Sequence, residues 1–283
     1  MIAQRVFAPA KVNLCLHVLA RRGDGYHRVQ MLMQQVALYD EIDITVTDSG
    51  RVDLMCSCAE AGAGADNLVA RAARVVLNRD SAGRGLAITL NKNIPVAAGL
   101  GGGSADAAVT LQAVNNLLQL GLEYEDLHAE AVRLGADVPF FLQRGAAWAC
   151  GIGEKLSPVV IRPEFYLLLV NPGQAVSTAA VYGALQPSMY SERVELPGCI
   201  DSRDMLLELL HNDLEAPALA LCPVIADIKN LLRSSGADGV LMSGSGATVF
   251  GLFFSRSAAQ NALTTISESG VHWVRLVKPL RGS

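Results

Sequence analysis

The stretch PVAAGLGGGSADAA, Pro95 to Ala108, sets four glycines among the five residues from Gly99 to Gly103 and follows them with Ser104 and Asp106. A glycine run lets main-chain N–H groups approach a ligand that side chains would hold off. From Ser104 onward, Ala107, Leu111, Val114 and Leu118 recur at helical spacing, and Gly121 stands where such a helix would end. A glycine loop that empties into a helix N-terminus offers unpaired amides and a positive dipole end to an anion, phosphate above all. The dipole contributes only about 0.3–1 kcal/mol, so the converging amides must carry most of the binding. Two common phosphate motifs are excluded: Ser104, not Lys, follows Gly103, and Ser104 also takes the last glycine position of G-x-G-x-x-G. The bland alternative is a glycine-rich turn with Ser104 as a plain helix N-cap.

Other residues able to do chemistry are scattered along the chain. Lys11 and Asn13 fall near the start of a strand, where a solvated lysine and a turn asparagine are the ordinary readings. Tyr26 and His27 follow the Asp24-Gly25 turn signal. Asp137 lies between small residues and a proline, just before Phe140, Phe141 and Leu142; it is either a helix-end cap or a carboxylate held at the edge of a core for a purpose.

A chain of 283 residues, 51% hydrophobic and 18% charged, is long enough for two well-buried domains. A net charge of −4 without basic runs argues against a nucleic-acid partner. No apolar run approaches the roughly 20 residues of a membrane span, and the N-terminus lacks the pattern of a signal peptide, so a cytoplasmic protein without a membrane partner is expected. Cys15, Cys56, Cys58, Cys150, Cys199 and Cys222 are dispersed, with no metal-ligand spacing, and read as reduced packing residues.

Alternation predicts strands over Val6–Leu19 and Val29–Thr47, and again over Leu86–Leu90 leading into the glycine loop. Asp66 is placed to cap a helix with Asn67 in its first turn. After a pause at Pro158–Pro163 come the strand Tyr166–Val170 and a short helix capped by Ser177 or Thr178. Helices follow over Met205–Leu210 and Val224–Arg233, with Asn212, Asp213 and Glu215 as capping residues between them. Two strands flank a turn at Gly244–Gly246, before a final helix and strand. This order predicts an α+β sandwich.

In order and spacing, PAKVNLCL (Pro9–Leu16), the glycine loop and GVLMSGSGATVFG (Gly239–Gly251) resemble the three motifs of the GHMP small-molecule kinases. Further segments, RRGDGYH, LGADVPFFL, VSTAAVY and NDLE, narrow the resemblance to members acting on a cytidyl substrate in non-mevalonate isoprenoid synthesis. The resemblance covers nearly the whole chain. It implies a two-domain α+β fold, the first domain (1–159) like the second domain of ribosomal protein S5 and the second (160–283) ferredoxin-like. It implies ATP as co-substrate, with Mg²⁺, wrapped by Pro95, Ala97, Ala98, Gly99, Leu100, Gly101, Gly102, Gly103, Ser104 and Ala105, with Asn67 near the adenine and Lys92 and Asn93 as weaker candidates. Asp137 resembles the catalytic base and Lys11 its cationic partner. Asn13, Thr178 and Asp137 would face the reacting end of the substrate, with Tyr26 and Tyr182 sandwiching the cytosine and His27 reading its edge. No acidic metal ligand matches the wider superfamily, so no protein metal site is assigned, and Ser243 and Ser245 have no assigned role. A monomer or weak homodimer is expected. The rivals are a GHMP kinase for another small alcohol and a non-catalytic ligand-binding member of the fold.

Overall fold

Strand alternation at Val12, Leu14, Leu16 and Val18 buries all four side chains almost completely. The strand they occupy, β1 (Ala3–Arg21), is longer than its apolar pattern, and its middle is buried on both faces, Lys11 and Asn13 included. The solvated-lysine and turn-asparagine readings therefore fail. The computed structural model describes residues 2–62, 64–271 and 273–282. These form two compact units, one of Met1–Ala10, Leu38–Val96 and Gly101–Gln143, the other of Lys11–Ala37, Ala97–Leu100 and Arg144–Ser283. The strands β1 and β2 (His27–Thr47) each contribute one end to either unit.

In the first unit the C-terminal half of β2 pairs antiparallel with the later strand β4 (Gly85–Asn91), Glu41 opposite Asn91 and Thr47 opposite Gly85. The strand β3 (Val52–Cys56) lies parallel to β4 (Gly85–Asn91) on the other side. The helix α1 (Leu68–Leu77) is strongly amphipathic and packs its Val69, Ala72, Ala73 and Val76 face on α2 (Gly102–Leu118), whose alanines permit close approach. α1 is capped by Asn67 rather than Asp66: the Asn67 carboxamide oxygen accepts from the Val69 N–H at 2.8 Å. α2 stops three residues before Gly121 because Gln119 takes the left-handed conformation (φ 55°), and the Asn115 side chain clamps both backbone groups of Leu122 at 3.0 Å. A further helix, α3 (Tyr124–Leu134), completes the layer.

In the second unit the N-terminal half of β2 pairs with β5 (Ala146–Gly151), which hairpins into β6 (Lys155–Ile161). A separate antiparallel sheet holds β7 (Tyr166–Asn171). A short helix, α4 (Thr178–Gly183), follows β7, and then β8 (Cys199–Ile200) pairs parallel with β6. The helix α5 (Arg203–Glu208) precedes β9 (His211–Asn212), which pairs parallel with β1 at Cys15 and Leu16. The helices α6 (Glu215–Leu221) and α7 (Val224–Ser234) lead to β10 (Gly239–Met242) and β11 (Val249–Phe253), and α8 (Arg256–Glu268) leads to β12 (Trp273–Val277). The separate sheet has the order β10-β11-β7-β12, with α7 and α8 packed on it. Such a helix-covered antiparallel sheet is the α+β arrangement expected. All six cysteines are free thiols, and among the described residues no helix is long and apolar enough to cross a membrane.

Candidate active site

The glycine loop is built from backbone that favours glycine. Gly99 has φ 76° and Gly101 φ 71°, and even Ala97 is held at φ 51°. Gly101 stands at the N-cap of α2, with no side chain capping the first turn and no acidic residue in it. Ser104 lies inside the first turn, so it is not the N-cap that the bland reading required. The amides opening α2 thus form the positive end of its dipole with no capping side chain among the described residues, an arrangement suited to anionic oxygens.

Within the first unit this helix start rests on a buried ionic cluster. Asp40 accepts from the Asn93 and Ile94 amides at 2.5 and 2.9 Å and from the Lys92 ammonium, which also reaches Asp106 at 2.7 Å. A methyl group on Gly102 would come within 3.1 Å of Lys92 Nζ. Asp106 is 2% exposed, and its Oδ1 has no hydrogen-bond partner. Burial pushes this carboxyl up to about 7, against the pull of the Lys92 charge and with the Asp40 charge adding to the rise. One ammonium facing two carboxylates would leave a net buried negative charge, which a proton on Asp106 removes.

In the second unit the other half of the loop is held by the turn after β10. A methyl group on Gly99 would lie 2.0 Å from the Ser243 carbonyl oxygen. The Ser243 hydroxyl donates to the Gly99 carbonyl at 2.9 Å and accepts the Asn13 N–H at 3.2 Å. The Thr248 amide donates to Ala98, and the Lys11 amide to Leu100. Asn212 and Glu215 do not cap a helix, as the sequence reading had it. Asn212 donates to the Met242 and Gly244 carbonyls, both at 2.8 Å, and Glu215 accepts from the Met242 amide and the Lys229 ammonium, so both brace the turn that braces the loop. Ser243 and Ser245, which had no role, therefore belong to the scaffold: Ser245 bonds Thr178 at 2.8 Å. Of the two cap candidates for α4, Ser177 does the capping, which leaves Thr178 to Ser245.

Lys11 is 4% exposed and donates from Nζ to the Asn13 carboxamide oxygen. Asp137, in the first unit, precedes the 3-10 turn Val138–Leu142, yet its side chain makes no cap hydrogen bond. The capping account of this carboxylate fails. In the second unit the His27 and Tyr182 rings lie 5.1 Å apart, tilted by 33°. Tyr26 is 59% exposed and stands outside that ring contact. Asn67 spends its side chain on capping α1 and on the Ala61 and Gly62 carbonyls. Asp40, Asn212 and Glu215 went unrecognised as supports of the loop; their backbone partners lie between 27 and 54 residues away in sequence, beyond any local signal.

A GHMP kinase N-terminal domain model matches residues 67–145 and a GHMP kinase C-terminal model residues 200–272. A 4-diphosphocytidyl-2-C-methyl-D-erythritol kinase of Syntrophotalea carbinolica is 48% identical over 260 residues, 92% of this chain and 93% of that protein. A crystal structure of a 4-(cytidine 5'-diphospho)-2C-methyl-D-erythritol kinase superposes with a TM-score of 0.81 at 36% identity, over 99% of this chain and 100% of the other. A homoserine kinase from Cytophaga hutchinsonii shares the fold alone, with a TM-score of 0.75 at 19% identity over 100% and 96% of the two chains. The chain belongs to the GHMP kinases and, within them, to the family of 4-diphosphocytidyl-2-C-methyl-D-erythritol kinases.

Two predictions follow from this geometry. Gly99→Ala places a Cβ at positive φ against the Ser243 carbonyl, a strain of about 1–3 kcal/mol, so ATP affinity measured by calorimetry should fall roughly tenfold or more; an unchanged affinity would separate the loop's shape from anion binding. Asp106 holds its proton in the folded state up to about 7, well above the ordinary 3.8. Its contribution to stability therefore declines as pH rises through that window and is level above it. Asp106→Asn should flatten the corresponding fall in urea midpoint between pH 4 and 7, and an identical slope in both proteins would remove the assignment.

Proposed function

We propose that this chain transfers the γ-phosphoryl group of ATP to the C2 hydroxyl of 4-diphosphocytidyl-2-C-methyl-D-erythritol, a step of non-mevalonate isoprenoid precursor synthesis. The observation that carries the reading is 48% identity across 92% of the chain to a kinase of that name. The uncapped amides of the glycine loop are its physical support. Phosphoryl transfer is chiefly a matter of positioning and charge stabilisation. Pro95 and the residues from Ala97 to Ala105 wrap the triphosphate, and Asn67 lies near the adenine through its backbone and capped helix start rather than through a free carboxamide.

Asp137 takes the proton of the substrate hydroxyl as its oxygen attacks the γ-phosphorus and ADP leaves. Lys11 offsets charge on the phosphoryl group in transfer. Asn13, oriented by Lys11 and Ser243, positions the hydroxyl region, and Thr178 the adjoining polyol. Tyr26 and Tyr182 hold the cytosine between them, which asks the exposed Tyr26 to pack onto the ring when the substrate enters. Mg²⁺ accompanies ATP and lowers the charge of its phosphates. The Ser104 hydroxyl, in the first turn and without a hydrogen bond among the described residues, fits a hard oxygen-seeking ion that keeps most of its ligands as water and phosphate. We place the evolutionary domain boundary near residue 160, and assign the protein to the cytoplasm as a monomer or weak homodimer.

The direct test is ADP release from Mg-ATP with the cytidyl substrate, homoserine, mevalonate and galactose as parallel acceptors. Turnover with the first alone is expected. Turnover with another acceptor would move the chain elsewhere in the superfamily, and none with any, while ATP still binds, would favour a non-catalytic member. Asp137→Ala should lower kcat by about a thousandfold or more while ATP binding survives; a variant with near-normal turnover would remove Asp137 as the base.

A further inference from the structure

Between Ala184 and Gly198 the chain forms no strand and only one 3-10 turn, Pro187–Met189, yet the two residues after that turn are firmly placed. The Ser191 amide donates to the Val18 carbonyl at 2.9 Å. The Ser191 hydroxyl donates to Asp213 at 2.9 Å and lies 3.0 Å from His17 Nδ1 and 3.4 Å from His211 Nε2. Asp213 is fixed in turn by the Val18 amide at 2.7 Å, and the His17 and His211 rings stack at 4.4 Å. An otherwise irregular segment is therefore fastened to β1 and β9 at Ser191 and, three residues on, to Gln30 of β2 at Val194.

The residue before that fastening is Tyr190. Its ring stands edge-on to His27, with centroids 6.0 Å apart and planes at 73°, and its hydroxyl lies 3.5 Å from His27 Nε2. Tyr182 covers another side of the same imidazole. Burial, and the Arg21 charge after it, lower the His27 pKa from its ordinary 6.5, so the ring is neutral in a neutral assay. A neutral imidazole has one N–H and one bare nitrogen, and whichever partner occupies one nitrogen decides what the other offers.

We propose that Tyr190 is a positioning residue for His27: its hydroxyl donates to Nε2, the ring proton resides on Nδ1, and His27 meets the pyrimidine as a donor there. A donor suits cytosine, whose N3 accepts, and conflicts with uracil, whose N3 carries a hydrogen. The inference rests on the reading of His27 as the residue facing the base edge, and it adds a selecting residue that the sequence motifs do not contain. Mismatched sites of this kind discriminate because a polar group is left unpaired.

The test uses the full-length enzyme labelled with ¹⁵N-histidine. Long-range ¹H–¹⁵N spectra, with His27 assigned through His27→Gln, should show the Nδ1–H form in the wild type and a shift toward Nε2–H in Tyr190→Phe. In parallel, the ratio of kcat/KM for the cytidyl substrate over its uridyl analogue should fall about three- to tenfold in Tyr190→Phe, the size of one hydrogen bond, mainly through KM. An Nε2–H form in the wild type, a tautomer indifferent to Tyr190→Phe, or a tautomer shift without loss of selectivity would each overturn the proposal. If the wild type turns over neither substrate, the substrate reading falls, and the spectra alone decide whether Tyr190 sets the His27 tautomer.

Discussion

The glycine loop depends on a contact between two pieces of main chain. Gly99 sits so near the Ser243 carbonyl that the hydrogen on its Cα is the only substituent the space admits, and the Ser243 hydroxyl closes the contact from the other side by donating to the Gly99 carbonyl. A loop of glycines has little conformational preference of its own, and ordering it costs more backbone entropy than ordering any other residue type. The turn after β10 supplies the order. Asn212 and Glu215 fix that turn through the Met242 and Gly244 backbone, and the Ser243 hydroxyl extends the same bracing to the Asn13 amide on β1.

The beginning of α2 has a different support. Here the device is electrostatic: Lys92 lies between Asp40 and Asp106, and Asp40 also gathers the amides of Asn93 and Ile94 at the entry to the loop. A buried cluster of this kind adds little net stability, since desolvation opposes the Coulomb attraction, but breaking it leaves an uncompensated charge and is costly. It therefore serves better as a constraint on geometry than as a source of folding energy. The orphaned Asp106 oxygen and the raised pKa of its carboxyl express the same excess of negative charge.

Much of this was legible in the chain. The strand, glycine loop and helix that follow one another from Leu86 to Leu118 depend on near neighbours, and alternation, glycine content and helical spacing report near neighbours faithfully. The reading of a glycine loop opening a helix needed nothing beyond them. Misreadings arose where a polar residue had two local fates and a distant partner chose between them. Asn212 and Glu215 looked like caps because caps are the commonest use of such residues near a helix start, while their actual partners lie on β10 and in the turn after it. Lys11 and Asn13 looked solvated because an alternating strand ordinarily keeps one wet face, and here both faces of the strand are covered. Tyr190 carried no sequence signal at all: its importance comes from Ser191, which the fold fastens to residues twenty or more positions away.

By itself, then, the sequence determined the α+β class, the family and the glycine loop that opens α2, because ordered motifs and periodicity are properties of contiguous residues. The tertiary structure alone decided which polar side chains act as supports, why Gly99 admits no side chain, and what stands beside His27. Those outcomes follow from long-range approach of one backbone to another and from burial, which set hydrogen-bond partners and proton affinities that no residue carries as an intrinsic property.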